Sequence, residues 1–109
     1  MSVNFQAKLV FGVVVTPEHQ NAINEATNYE YEDWFHTANH YGETDYLVFG
    51  QVFECVSAGW FTEFKEATPG YIECVKYDIV SALKGTNLLI GALIDITNTF
   101  GQYLICEIS

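Results

Sequence analysis

The sequence contains no arginine, and apart from three histidines its only basic side chains are Lys8, Lys65, Lys76 and Lys84. Against these stand 14 acidic residues, for a formal net charge of −10. Binding of nucleic acid or of an anionic membrane through a basic patch is therefore disfavoured, because both need lysine and arginine clustered on one face. The missing guanidinium also weighs against an enzyme that handles phosphates or carboxylates, whose oxygens arginine binds as a planar fork.

Other scarcities bound the class. Cys55, Cys74 and Cys106 form no C-x-x-C pair, and an odd number leaves one thiol over in any disulfide scheme. That favours a reducing compartment. All three lie in apolar patterns, so buried thiols are expected. The longest apolar run, Leu88 to Ile94, falls well short of the roughly 20 residues that cross a bilayer. The opening Met1-Ser2-Val3-Asn4-Phe5-Gln6 has no basic segment of the signal-peptide kind. A cytoplasmic protein without a membrane role is the expectation.

What is abundant is apolar and aromatic surface. Hydrophobic residues make up 50% of the 109 positions, with eight Phe, seven Tyr and two Trp, enough to fill one core without disulfides or metals. The length suits a single domain over residues 1–109. So many large side chains are hard to bury completely in so small a body, and some are expected to face a partner.

Val3, Phe5, Ala7, Leu9 and Phe11 alternate with Asn4, Gln6 and Lys8, the period of a half-buried strand that continues into Val13-Val14-Val15. Thr16-Pro17-Glu18 combines an N-cap, a proline at the first helical position and an acid in the first turn, which predicts a helix from Pro17 to about Ala26. Tyr31, Trp34, Phe35 and Ala38 recur at helical spacing and predict a second helical piece over about Tyr29 to Asn39. The stretch Asp45 to Val56, then Ser57-Ala58-Gly59, then Trp60 to Phe64, reads as a hairpin. Thr68-Pro69-Gly70 repeats the helix start, and Ile72, Val75, Ile79, Ala82 and Leu83 form an apolar stripe that ends at Lys84-Gly85. Leu88 to Thr97 and Gln102 to Ile108 read as two strands. This order predicts an α+β domain: an antiparallel sheet with two helices on one face, a ferredoxin-like (split β-α-β) sandwich with an extra C-terminal strand. Such a fold does not by itself specify a function.

Few groupings carry chemistry. Asp33, His36 and His40 would share one face of a continuous helix, and an H-x-x-x-H pair can hold a divalent metal. No companion motif supplies further ligands, so surface or capping histidines are the simpler reading and no metal is expected. Ser57 lacks a G-x-S-x-G setting and the glycines form no phosphate-binding loop, so no catalytic residue and no cofactor is expected.

The run Tyr29-Glu30-Tyr31-Glu32-Asp33-Trp34-Phe35 mixes carboxylates with flat rings without one counter-charge, and Glu43 and Asp45 follow. Carboxylates beside rings suit a basic partner, whose arginines pair with the acids and stack on the aromatics. Tyr29, Glu30, Tyr31, Glu32, Asp33, Trp34, Glu43 and Asp45 are the candidate partner-binding residues. The plainer alternative makes Trp34 and Phe35 core residues and the acids a solvated face.

Three functions follow. The leading one is a non-enzymatic binding or regulatory protein that engages a basic protein surface. Its sharpest form is an inhibitor that imitates nucleic-acid charge and fills the basic groove of a nucleic-acid-binding protein, as phage- or plasmid-type antagonists do. The second is a structural or assembly subunit that forms a homo-oligomer through Leu88–Ile94 and the surplus aromatics. The third is a small enzyme or ligand-binding sandwich with a tyrosine-lined pocket.

Overall fold

A computed structural model of the protein describes residues 5–38, 46–57 and 65–108. The elements in order are β1 (Phe5–Val15), α1 (Pro17–Ala26), a 3-10 turn (Glu32–Trp34), β2 (Phe35–Ala38), β3 (Tyr46–Ser57), α2 (Pro69–Lys84), α3 (Ile90–Asn98) and β4 (Gly101–Ile108). The four strands form one sheet in the order β2-β3-β1-β4, and each pairing is antiparallel. The fold is α+β. With β3 between β1 and β2, the order is compatible with the split β-α-β arrangement.

The two Thr-Pro signals start helices for the expected reason. The Thr16 hydroxyl accepts from the His19 amide at 3.2 Å, and His19 Nδ1 accepts from the Thr16 amide at 3.4 Å, a reciprocal cap that occupies two otherwise unpaired donors. Thr68 caps α2 by accepting from the Tyr71 amide at 3.2 Å. This helix ends at Lys84 as its pattern predicts, but Gly85 has φ −76°, so it stops the helix without a left-handed turn.

All three helices lie on the same face of the sheet. Leu9, Phe11, Val13 and Val15 point from β1 into one cluster with Ile23 of α1, Val75, Ile79, Ala82 and Leu83 of α2, and Ile96 of α3. Burial of each large aliphatic side chain here contributes about 1.5–3 kcal/mol. The other face of β1 is apolar as well: Val10 packs with Val48 of β3 and Ile105 of β4, all fully buried.

Gly12 of β1 stands opposite Gly50 of β3 on one side and Gly101 of β4 on the other. A Cβ on Gly12 would lie 2.8 Å from Gly50 Cα, and a Cβ on Gly50 would lie 2.5 Å from Gly12 Cα. Only glycine lets the two central strands approach this closely.

Three expectations are corrected. Residues 29–39 are not a helix: Asn28 and Tyr29 both have positive φ, a 3-10 turn follows, and Phe35–Ala38 is the edge strand β2, paired with β3. Leu88 to Thr97 is not a strand but contains α3, so among the described residues three helices stand where two were expected and β4 is the single strand after α2. Cys55 and Cys74 are exposed rather than buried. The Trp60–Phe64 half of the expected hairpin and the side chain of Cys106 lie outside the described residues; among the described residues β3 pairs with β2 and β1.

Candidate acidic interaction surface

After α1 the chain reverses through Asn28 at φ 53° and Tyr29 at φ 62°. The Tyr29 amide donates to the Asn24 carbonyl at 2.8 Å, which closes the end of α1. Asparagine tolerates left-handed backbone, but for tyrosine it costs about 1–2 kcal/mol. The side chain so placed is 57% exposed. Strain held at an exposed ring is the kind of outlier that accompanies recognition sites.

The next residues divide by chemistry. Tyr31 and Trp34 are half-buried and pack edge to face at 5.1 Å between ring centres. Both reach the fully buried Phe49 of β3, at 6.2 and 6.0 Å, and Phe35 approaches it at 4.8 Å. These rings bolt the turn to the sheet, with each such contact adding about 0.5–1.5 kcal/mol beyond buried area. Glu30, Glu32 and Asp33 are exposed.

The turn lies beside α2. Burial, then Glu30, then Asp78 of α2 raise the Tyr31 phenol above its ordinary value, so carboxylates from two separate elements bear on one ring. Glu73, Cys74, Tyr77 and Asp78 line a hollow on the outer side of α2, and Tyr77 is 73% exposed. Neither Glu30, Glu32 and Asp33 nor Glu73 and Asp78 form an ion pair among the described residues. Two of the lysines lie elsewhere: Lys76 is 5.7 Å above the Phe100 ring, and Lys84 lines a groove between α2 and α3.

Of the candidate partner-binding residues, Tyr29, Glu30, Glu32 and Asp33 thus share one exposed turn, whereas Tyr31 and Trp34 serve mainly to anchor it. Glu43 and Asp45 lie outside the described residues. Sequence reasoning missed Glu73, Tyr77 and Asp78, although an acid, a tyrosine and an acid on the outer side of a confidently patterned helix were a readable signal.

Asp33 and His36 do not share a helix face. Asp33 is in the 3-10 turn, His36 is in β2 and donates through Nε2 to the Gly50 carbonyl at 3.2 Å, and His40 lies outside the described residues. Among the described residues no three metal-ligating side chains come together. No helix there is long and apolar enough to cross a membrane. Comparison of the chain with protein-family models, with curated proteins and with solved structures found no match.

Proposed function

We propose that the protein is a non-enzymatic binding module that docks its acidic, aromatic surface onto a basic protein surface. The observation that carries this reading is the convergence of Glu30 and Asp78 on Tyr31, with Glu32 and Asp33 in the same exposed turn and Tyr29 and Tyr77 standing out as exposed rings. Unpaired carboxylates of one sign steer a cationic partner toward this side and speed encounter. The exposed tyrosines supply rings on which arginine side chains stack once docked. A basic groove that ordinarily holds nucleic acid fits this description, and occupation of that groove would make the module an inhibitor.

The test is affinity capture from a lysate of the source, at low and at high salt, with the recovered proteins identified and bait carrying Glu30→Gln, Glu32→Gln and Asp33→Asn run in parallel. The expected result is a basic, nucleic-acid-binding partner that is lost at high salt and lost with the triple variant. Capture unaffected by both changes, or recovery of nothing, overturns the proposal.

A further inference from the structure

A second surface differs from the acidic one in every respect. The inner side of α3 packs Leu93 and Ile96 against the core, while Ile90, Gly91, Ile94, Asp95 and Asn98 form its outer side. Leu89, Ile90 and Ile94 are 82%, 75% and 55% exposed. The outer side continues into a groove of about 330 Å³ between α3 and α2, lined by Val80, Leu83 and Lys84 of α2 and by Ile90, Leu93 and Ile94 of α3. Contiguous exposed apolar surface of this kind marks an interaction site.

The charge pattern selects the occupant. From Ile79 to Ile94 the chain carries no acidic residue, although its net charge is −10. The exposed Asp95 on this side is balanced by Lys84 of the groove, so a basic partner finds no net negative charge here. Another copy of the chain meets less repulsion here than at the acidic turn.

The face is also complementary to itself. Lys84 lines the groove near the start of α3, where Leu89 provides no side-chain cap, and the exposed Asp95 lies toward the other end. Two α3 helices crossing antiparallel about a two-fold axis would bring Asp95 of each copy to Lys84 and the positive first turn of the other. Ile90 and Ile94 of each copy would enter the opposite groove. At Gly91, beside Ile94 on this outer side, a Cβ would meet only open space among the described residues.

We propose that the protein forms a symmetric dimer through the outer side of α3 and the α2–α3 groove. The contact is small, so association in the micromolar range is expected.

Sedimentation velocity of the full chain from roughly 1 to 500 μM tests it, with circular dichroism as a check on folding. The mass should rise from 12.3 kDa toward twice that value. Association should tighten with added salt, since salt screens the like charges and spares the apolar contact. Ile90→Ser with Ile94→Ser should give a folded monomer, and Gly91→Gln, which a single chain accommodates, should weaken association at least tenfold. Lys84→Glu should weaken it about threefold to tenfold, and addition of Asp95→Lys should restore it. A monomer throughout the concentration range overturns the proposal. So does a dimer indifferent to the α3 variants, an open-ended series of larger species, or association that salt abolishes.

Discussion

Gly12 tests the account of the sheet most directly. In Gly12→Ala the new methyl would stand 2.8 Å from Gly50 Cα, 2.9 Å from the Phe49 carbonyl carbon, and closer still to the Phe49 oxygen. Carbon atoms pack at about 3.5–4.0 Å, so β1 and β3 must separate locally by roughly 1 Å. The obstacle is backbone of the paired strand, which cannot swing aside as a side chain tip can. Overpacking of this kind costs about 1–3 kcal/mol, and stretching one or two neighbouring ladder hydrogen bonds adds about 1 kcal/mol. Against that, alanine in a strand regains about 0.5–1 kcal/mol relative to glycine. A net loss of about 2 kcal/mol is expected, from a total of about 5–15 kcal/mol for a domain of this kind. Urea unfolding at fixed protein concentration measures it directly, and thermal unfolding should show a midpoint lower by roughly 9 °C. Gly70→Ala is the control. It lies in the first turn of α2 with open space around the new methyl and should raise stability by about 0.5–1 kcal/mol. If Gly12→Ala unfolds within about 0.5 kcal/mol of the parent chain, the close approach of the strands is not real and the argument fails.

Three further outcomes are expected. Among the described residues the buried Tyr71 hydroxyl has no hydrogen-bond partner, and burial raises its phenol above the ordinary value, so Tyr71→Phe should stabilise the protein by about 1 kcal/mol at neutral pH in urea titrations. Because burial raises the Tyr71 and Tyr31 phenols above the ordinary tyrosine value near 10, stability is unaffected by their titration below that value and declines as pH rises from it through their folded values; both Phe variants should flatten this alkaline decline, and an unchanged slope would count against this. Cys55 and Cys74 are exposed, so a thiol reagent should label both in the native protein without loss of its circular dichroism. Slow labelling at both positions, matched to global unfolding, would contradict their placement.

The parts of this fold legible in the sequence are those where one local signal dominates. Thr16-Pro17 and Thr68-Pro69 mark the starts of α1 and α2 because cap and proline act within one turn, whatever packs on the helix. Alternation in β1 is legible because Leu9, Phe11, Val13 and Val15 face the helices. Residues 29–39 mislead because Tyr31 and Trp34, three apart, are spaced for a helix but meet in a 3-10 turn, after a reversal at Asn28 and Tyr29 that no glycine announces. Leu88 to Thr97 misleads for a different reason. Ile90 and Ile94 on the outer side of α3 are as apolar as Leu93 and Ile96 on the inner side, so the helical period is hidden and the isoleucines look like strand. The acidic turn was visible as composition, whereas its adjacency to Asp78 of α2 depends on tertiary packing that spacing along the chain does not encode.

The position of β4 has a consequence for how the chain is made. Phe5 through Gly12 of β1 pair on one edge with Ile108 through Gly101, nearly the whole chain away, while the other edge pairs with β3 much earlier. A ribosome delivers β3 long before β4. Until the last strand emerges, β1 presents a row of open amides and carbonyls that any neighbouring nascent chain can take up. Closure of that edge joins residues farther apart in sequence than the β1–β3 pairing does, and non-local pairing of this kind favours slow folding.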